Sequence, residues 1–238
     1  MTSYTDTALV IPVLNEKENI QCLIPQLMDT LPGLTVLVVD DNSTDGTRDV
    51  MEAYCKKFPT VHARVRTSSY GYGPSILEGL QWMQGKGFQY VFTMDADFSH
   101  DFHEIPAMRA LLRTHMFVLG SRYVQGGGIR NWGLGRRCLS KFANWYVRTI
   151  LRIPFFDVTT GFVGYQPAAL DIITTYRPRS SGYAFLVETK YILHKHGAHA
   201  GEHPIIFTDR VWGASKMSLS KIWESVWMPW RLRRTYNK

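Results

Sequence analysis

The sequence has few cysteines and no pattern among them that would build a disulfide or zinc framework. Cys22, Cys55 and Cys138 are scattered over 238 residues, with no C-x-x-C pair and no histidine at zinc-ligand spacing. We interpret them as isolated thiols of a reducing compartment. The cytoplasm is therefore the expected location, and a disulfide-rich secreted domain is excluded.

Long hydrophobic runs are also missing. No uninterrupted apolar run approaches the roughly 18 residues that a membrane-spanning helix needs. The best candidate, FANWYVRTILRIPFF, is broken by Arg148 and Arg152. The N-terminal segment MTSYTDTALVIP has no basic stretch followed by a long apolar one, which predicts no secretory leader. We expect a protein that is not integral to a membrane.

Acidic residues are fewer than basic ones: the sequence has 20 aspartates and glutamates against 27 lysines and arginines, which gives a net charge of +7. Such a balance indicates nucleic acid, anionic lipid or a phosphorylated substrate as a partner. Six basic residues and only Glu224 lie between Lys216 and the end of the chain. This tail carries most of the imbalance.

Short apolar runs alternate with helical patterns through the first half of the sequence. The predicted strands are ALVIPVL, TVLVVDD, HARVRT, YVFTMDAD and MFVLGSR. The predicted helices run from about Glu18 to Thr30 and over STDGTRDVMEAYCKKF, PSILEGLQWMQGKG and EIPAMRALLRTH, the second capped by Ser43 or Thr44. This alternation predicts an α/β fold, a Rossmann-like and mainly parallel sheet flanked by helices. Farther on, GGGIRNWGLGRR predicts a loop, and LSKFANWYVRTILR predicts an amphipathic helix.

Polar residues follow the predicted strands at the carboxyl ends, where ligands of such sheets gather. They are Pro12, Asn15, Glu16, Asp40, Asp41, Asp95, Asp97 and Arg122. Each alone could cap a helix or form a turn, but their convergence favours a binding site. In MDADFSHD the two like charges one residue apart call for a cation or for separate partners. A solvated loop in which Asp101 or Ser99 caps the next helix is the alternative.

Several motifs in a fixed order resemble family 2 inverting glycosyltransferases, and among them the polyprenol-phosphate (dolichol-phosphate) mannose synthases. The motifs are VIPVLNEKENI, VVDDNSTDGT, MDADFSHD, GSRY, SGYAF and DRVWGASK, and they extend from about Leu9 to Lys216. The resemblance implies a glycosyltransferase A-type fold, a nucleotide-sugar donor, a divalent metal and a lipid-phosphate acceptor. It implies one catalytic domain, with residues of about 7–122 for the donor, about 123–217 for the acceptor, and a basic aromatic helix over 218–238.

The resemblance also implies roles for the donor side. Pro12, Asn15 and Glu16 match the first nucleotide loop, Asp41 with the support of Asp40 matches the residue that reads the base, and Asp95 and Ala96 match the nucleotide-sugar loop. Asp97, helped by Asp95, is expected to hold Mg²⁺ or Mn²⁺, since both prefer carboxylate oxygens. Ser99 stands where relatives carry Gln and is expected to complete the metal shell.

On the acceptor side, an ionised phosphate needs placement and relief of charge repulsion rather than a strong base. Arginine suits this because its fork grips phosphate oxygens in pairs. The family pattern gives Arg122, Arg136, Ser140, Arg210 and Lys216 this role, and Arg122 and Arg136 with Asp97 are the expected catalytic residues.

The chain departs from the family pattern in one loop and in its anchoring. SSYGYGPS has Tyr72 where the family often has Leu, followed by Pro74. The transmembrane helices that many relatives have are absent. The protein would therefore reach the lipid from the cytoplasmic membrane surface as a peripheral protein, or through a membrane-anchoring partner protein.

In the tail, one helical face is shared by Trp223, Val226, Trp227 and Trp230, and Arg231, Arg233 and Arg234 follow. Pro229 is expected to bend or end the helix. An interfacial helix and a helix merely packed on the domain are both consistent with this pattern.

Transfer of mannose from GDP-mannose is the leading hypothesis for the function. The same fold with UDP-glucose or another donor is the nearest alternative. A non-catalytic nucleic-acid-binding module is the third, and it is disfavoured because no recognised nucleic-acid motif is present.

Overall fold

The computed structural model describes residues 3–68, 70–180, 182, 184–209 and 219–236, the last helix with side chains from Val226 onward. Arg210 and Lys216, both expected to bind the acceptor phosphate, lie outside the described residues, as does the side chain of Trp223.

Strands and helices alternate through the first half of the described chain. The strands are β1 (Thr7–Val13), β2 (Thr35–Asp40), β3 (Val61–Val65), β4 (Tyr90–Thr93), β5 (Phe117–Ser121), β6 (Gly128–Ile129), β7 (Val163–Tyr165), β8 (Ala200–Pro204) and β9 (Ile206–Phe207). The helices are α1 (Lys17–Thr30), α2 (Thr47–Lys57), α3 (Tyr72–Met83), α4 (Ile105–Leu111), α5 (Leu134–Leu151), α6 (Pro167–Tyr176), α7 (Ala184–Lys195) and α8 (Leu219–Tyr236), with a 3₁₀ turn at Phe102–Glu104 before α4.

One seven-stranded sheet organises the fold, in the order β3-β2-β1-β4-β7-β5-β8. All of its pairings are parallel except those of β7, which runs antiparallel to both β4 and β5. Because β4 and β5 both oppose β7, their carboxyl ends lie at the same edge as those of β1 and β2. The expected α/β fold with a mainly parallel sheet is confirmed, and the same sheet includes strands from both halves of the chain.

Successive strand residues pack on opposite faces of the sheet, as the two-residue period of a strand requires. Val10, Leu37 and Val39 face the core that includes residues of α3, α5, α7 and α8. Leu9, Ile11 and Val38 face the core that includes residues of α1 and α4. Strands buried on both faces explain why they read as continuous apolar runs in the sequence.

Gly79 sets how closely α3 packs on the sheet. A Cβ at this position would come closer to Cγ1 of Val10 in β1 than real Cβ atoms come to their neighbours. The helix that starts at Tyr72 is therefore held directly against the central strand. This contact fixes the position of the helix end that reaches the candidate site.

Several local expectations need correction. The strand predicted over YVFTMDAD is shorter than expected, because β4 ends at Thr93 and Asp95 and Asp97 lie in the following loop. α2 begins at Thr47 after Gly46, which has a positive φ of 92°, and neither Ser43 nor Thr44 caps it.

The second half also differs from its sequence pattern in two places. The glycine-rich stretch is not all loop, because β6 pairs in parallel with β9 and α5 begins at Leu134. Pro229 does not end α8, which continues to Tyr236. Met228 and Leu232 on either side of Pro229 are buried in the core, and this packing offsets the missing backbone hydrogen bond. Within the described residues, no helix has the length and apolar character to cross a membrane.

Candidate active site

The loops after β1 and β2 are joined side by side at the carboxyl edge of the sheet. Asn15 has a positive φ of 56°. Its backbone amide donates to Ser43 Oγ at 2.8 Å, and its side-chain Oδ1 accepts from the backbone amide of Thr44 at 2.9 Å. The amide of Glu16 donates to Thr47 Oγ1 at 3.0 Å. These hydrogen bonds join the loops after β1 and β2 into one surface, from Asn15 to Thr47, which we call the ledge. It lies where the sequence predicted the nucleotide loop. Pro12, in β1, lies opposite Val39 of β2 below this ledge.

The side chains of Asp40 and Asp41 both form hydrogen bonds within the protein. Asp40 is fully buried and its Oδ1 accepts from the amide of Ser43, while its Oδ2 has no hydrogen-bond partner among the described residues. Asp41 accepts from Arg66 through Oδ1 and from the amide of Gly71 through Oδ2. Asp41 therefore ties the segment before α3 to β2, and its contact with a base stays a prediction.

The loop after β4 carries the paired carboxylates. Phe98, two residues beyond the buried Ala96, has a positive φ of 59°. Asp97 is nearly buried and its Oδ1 accepts from the amide of Ser99 at 3.1 Å. This bond holds the carboxylate in place within a tight turn.

The same loop carries carboxylate and hydroxyl oxygens, which are the ligand atoms that a hard divalent cation prefers. Ser99 is buried, and its Oγ has no hydrogen-bond partner among the described residues. Buried hydroxyls are normally paired, so an unpaired one beside two carboxylates is consistent with a ligand role. No group of three or more histidine, cysteine or acidic side chains suited to a metal occurs in the described part of the chain. Asp95, Asp97 and Ser99 are the residues here that could hold Mg²⁺ or Mn²⁺, with water or substrate oxygens completing the coordination.

Tyr72, the first residue of α3, reaches across to this loop. Its hydroxyl donates to Oδ1 of Asp95 at 2.8 Å. A Cβ at Gly161 would lie 2.5 Å from this hydroxyl, so the glycine makes room for the tyrosine. Tyr72 thereby connects the loop shaped by Asp41 to the paired carboxylates.

His100 fills the buried centre between the carboxylate loop and β5. Its ring packs against Phe162 and Phe207, with centroids 5.4 and 5.3 Å away, and Nδ1 lies 3.8 Å from Oδ2 of Asp95. Burial lowers the pKa of His100 despite the opposing effects of Asp95 and Asp97. The ring is therefore neutral at neutral pH and adds no positive charge to the site.

Arg122, directly after β5, forms a buried bidentate pair with Asp157. Nε and Nη2 donate to the two carboxylate oxygens at 2.7 Å each, and Nη2 also donates to Thr159 Oγ1 at 2.7 Å. Burial opposes ionisation of Asp157, but Arg122 outweighs it and holds the pKa of that carboxyl below its usual range. Two of the three guanidinium nitrogens are thus committed to the protein. Direct contact of Arg122 with an acceptor phosphate stays a prediction.

The network continues from Arg122 into α5, which carries the expected acceptor residues. Asn144 of α5 donates through Nδ2 to Thr159 Oγ1 at 3.1 Å, and its Oδ1 accepts from the amide of Val158 at 2.9 Å. One turn earlier, Ser140 accepts from the hydroxyl of Tyr123 at 2.7 Å. The end of β5 and the first half of α5 are therefore one connected unit.

Arg136 lies at the exposed start of α5. Its guanidinium stacks 3.8 Å from the ring centroid of Trp132, and Nη1 lies 3.2 Å from both carboxylate oxygens of Asp209. The two side chains are 45% and 37% exposed, so solvent screens the pair and weakens it. Arg136 is thus better placed than Arg122 to meet an incoming phosphate.

Lys190 of α7 is a buried cation below the Arg122–Asp157 pair. Its Nζ donates to the carbonyls of Thr160 at 2.8 Å and Leu186 at 3.1 Å. Burial lowers the pKa of Lys190 to about 7, although Asp157 opposes the shift. The lysine braces the segment between Asp157 and β7 from behind.

Comparison with known proteins identifies the family. Residues 8–172 match the profile of Glycosyl transferase family 2. The chain belongs to this family. It is 36% identical over 222 residues to a protein named polyprenol monophosphomannose synthase from Mycolicibacterium smegmatis, covering 92% of this chain and 84% of that protein. It is 35% identical over 217 residues to an undecaprenyl-phosphate mannosyltransferase from Micrococcus luteus, covering 91% and 89% of the two chains.

Solved structures agree on the fold of this family 2 member. Glucosyl-3-phosphoglycerate synthase from Mycobacterium tuberculosis, in complex with Mn²⁺, UDP and glucosyl-3-phosphoglycerate, superposes with a TM-score of 0.68 at 15% identity. The match covers 97% of this chain and 79% of the other. The same enzyme in complex with Mg²⁺ and UDP gives a TM-score of 0.65 over 97% and 78% of the two chains at 16% identity. At this identity the likeness shows the glycosyltransferase A-type fold alone.

The structure places the strand-end residues expected from the sequence at one edge of the sheet. No motif or spacing in the sequence pointed to His100, Asp157, Thr159 or Lys190. Asp157 follows the apolar stretch IPFF, but no spacing pattern relates it to Arg122, 35 residues earlier in the chain. Tyr72 was visible only as a departure from the family pattern.

Proposed function

We propose that this protein transfers mannose from GDP-mannose to the phosphate of a polyprenyl or dolichyl lipid, with inversion at the anomeric carbon and dependence on Mg²⁺ or Mn²⁺. The observation that carries the proposal is the similarity over more than 90% of the chain to two relatives named for mannose and polyprenyl phosphate. The paired carboxylates at the carboxyl edge of the sheet support a nucleotide-sugar site there.

The donor is assigned to the ledge and loops at that edge. Pro12, Asn15 and Glu16 would border the nucleoside, with Asp40 and Asp41 fixing the base pocket from behind. Asp95 and Ala96 would meet the diphosphate and sugar, and Asp95, Asp97 and Ser99 would hold the cation. The bound cation supplies charge stabilisation for the departing diphosphate.

The acceptor is assigned to the region around α5. An oxygen of the lipid phosphate forms the new bond to the anomeric carbon, and the bond from that carbon to the diphosphate breaks. The nucleoside diphosphate leaves with the electron pair. The attacking oxygen is already ionised, so no base has to remove a proton. Arg136 and Ser140 would position the phosphate, Arg122 would add positive charge beside it, and Arg210 and Lys216 are proposed contacts outside the described residues.

The two halves and the location follow as parts of the same proposal. Residues of about 7–122 would bind the donor and residues of about 123–217 the acceptor, within one catalytic domain. The protein would act on the cytoplasmic face of a membrane as a peripheral protein, with or without a membrane-anchoring partner. Nucleic acid has no role in the proposal.

The deciding experiment compares nucleotides and metal in one melting-temperature panel. GDP with Mn²⁺ should raise the melting temperature more than UDP with Mn²⁺ or GDP with a chelator, because a ligand that binds only the folded state stabilises it. Asp97→Asn is the matched control, since it keeps the shape of the side chain and removes the charge. Incubation with GDP-mannose and a polyprenyl phosphate should then give mannosyl phospholipid by mass spectrometry. Preferential stabilisation by UDP would move the assignment to UDP-glucose or another uridine donor, and failure of every metal-dependent shift would contradict the donor site.

A further inference from the structure

The outer surfaces of α5 and α8 expose an unusual share of large hydrophobic side chains. Ten such side chains are exposed among the described residues; four of them are on α5 and three on α8. Trp145 of α5 and Trp227 of α8 are 59% and 66% exposed. Scattered single apolar residues are normal on a soluble protein, but a concentration on two adjacent helices marks an interaction site.

The two helices form one continuous surface. Tyr146 of α5 donates its hydroxyl to the carbonyl of Val226 at 2.9 Å and accepts from Nε1 of Trp230 at 3.2 Å. The ring of Phe142 stacks on Tyr146 with centroids 6.2 Å apart and lies 5.7 Å from the ring of Trp145. A path of aromatic contacts therefore runs from Trp145 through Phe142 and Tyr146 to Trp230.

The charge of these helices identifies the kind of partner. From Leu134 to Arg152 the chain has five basic residues and no acidic one, and α8 has four basic residues and one acidic residue. Without Arg152, which follows α5, the two helices carry +7, equal to the net charge of the whole chain. A surface that combines exposed tryptophans with arginines and lysines suits the headgroup region of an anionic bilayer, where tryptophan favours the interface and basic side chains attract anionic lipid.

We propose that α5 and α8 together form a membrane-docking face, built from Leu134, Phe142, Trp145, Trp227 and Trp230, that seats the protein on an anionic lipid surface. This inference rests on the proposed lipid-phosphate acceptor and extends it. α5 carries Arg136 and Ser140 on its first two turns, so docking of this helix would set the height of the phosphate site above the bilayer. The tail alone does not provide the face.

Vesicle binding tests the docking face without any need for catalysis. The full chain is co-sedimented with vesicles of phosphatidylglycerol and phosphatidylcholine in roughly equal parts, and with pure phosphatidylcholine. We expect binding to the anionic vesicles, and a loss of about tenfold for Trp145→Ser and for Trp227→Ser, since each removes a large apolar group from the interface. Tyr176→Ser is the matched control, because Tyr176 is an exposed aromatic that belongs to α6 and to neither of the two helices. Melting temperatures show that each variant is folded.

The outcomes separate the alternatives. Absence of binding by the full chain, or unchanged binding by both tryptophan variants, overturns the proposal. If Trp227→Ser loses binding while Trp145→Ser keeps it, α8 is the only contact and the two-helix face is wrong. If Trp145→Ser instead dissociates a dimer seen by analytical ultracentrifugation, the face joins two copies of the chain. Transfer to detergent-dispersed acceptor is measured separately, so failure of the proposed reaction and failure of docking are distinguishable.

Discussion

At the residue scale, Tyr72 links the segment before α3 to the paired carboxylates. Its hydroxyl donates to Oδ1 of Asp95, and hydrogen bonds to charged groups typically contribute about 1.5–3 kcal/mol. Asp95 is partly exposed, so water recovers some of this when the hydroxyl is removed. We expect Tyr72→Phe to weaken binding of GDP with Mn²⁺ by roughly tenfold, measured by calorimetry, and to leave the melting temperature of the free protein nearly unchanged.

The neighbouring Tyr70 provides the control for this change. It is exposed in the same loop, so Tyr70→Phe should bind GDP with Mn²⁺ like the unchanged protein. If the two variants behave alike, Tyr72 only packs and does not orient Asp95. Binding of GDP with a chelator present should respond much less to Tyr72→Phe, because the hydroxyl acts through the carboxylate expected to hold the cation.

Lys190 gives the site a pH-dependent stability. Burial lowers the pKa of Lys190 to about 7 in the folded protein, against about 10.4 in an unfolded chain. Between these values the unfolded chain binds a proton that the folded chain does not, so the free energy of unfolding rises with pH across this window. Below about pH 7 both states are protonated, and the cost of the buried charge is then present in full.

Lys190→Met removes this dependence. The stability of the variant relative to the unchanged protein should therefore fall as the pH rises from about 7 to 10, by up to about 1.4 kcal/mol per pH unit. Urea denaturation of both proteins at several pH values measures the difference. A difference that stays constant with pH would show that the lysine titrates normally.

At the residue scale, the sequence predicted positions at strand ends but not contacts between distant loops. Asn15, Asp40 and Asp95 were found because each follows an apolar run. The contacts of Tyr72 with Asp95 and of Lys190 with Thr160 depend on how α3 and α7 pack, and no local periodicity contains that information.

At the scale of secondary-structure elements, the Arg122–Asp157 pair joins the end of β5 to the segment before β7. Both side chains are buried, and removal of one member of a buried pair leaves an uncompensated charge that typically costs about 3–5 kcal/mol. We expect Asp157→Asn to lower the free energy of unfolding by an amount in this range, measured by urea denaturation. The exposed pair Arg48–Glu52 on α2 is the control, and Glu52→Gln should cost about 0.5 kcal/mol or less. Equal costs for the two changes would mean that solvent reaches Asp157.

Most parallel strands of the first half could be predicted because they are runs of apolar residues long enough to recognise, whereas β3, VHARV, gave a weaker signal. β7 could not, since Val163–Tyr165 has only three residues and runs against its neighbours. The continuation of α8 beyond Pro229 also escaped prediction, because the burial of Met228 and Leu232 that stabilises it is a tertiary effect.

At the scale of the whole molecule, basic charge and exposed aromatic side chains are concentrated on α5 and α8. This concentration links the proposed lipid-phosphate chemistry to one surface of the protein. The sequence showed the basic tail, but it did not show that α5 lies beside α8, since 67 residues separate the end of one from the start of the other. The contacts of Tyr146 with Val226 and Trp230 bring the two helices together. The proposed acceptor region and the proposed docking face thus share α5, whose hydrogen bonds extend through Thr159 to Arg122.

This arrangement predicts that substitutions on α5 separate docking from phosphate binding. Trp145→Ser should raise the KM for a long-chain polyprenyl phosphate in anionic vesicles by roughly tenfold, since the apolar contact with the bilayer is lost. It should leave transfer to a short, water-soluble prenyl phosphate unchanged, because the exposed Trp145 is assigned to the docking face and not to the phosphate site. Arg136→Ala, in contrast, should impair both acceptors alike, since a charge-assisted hydrogen bond to the phosphate is needed wherever the phosphate comes from. Steady-state rates with the two acceptors measure this, and a Trp145→Ser defect of equal size on the soluble acceptor would place that side chain in the catalytic site instead of the docking face.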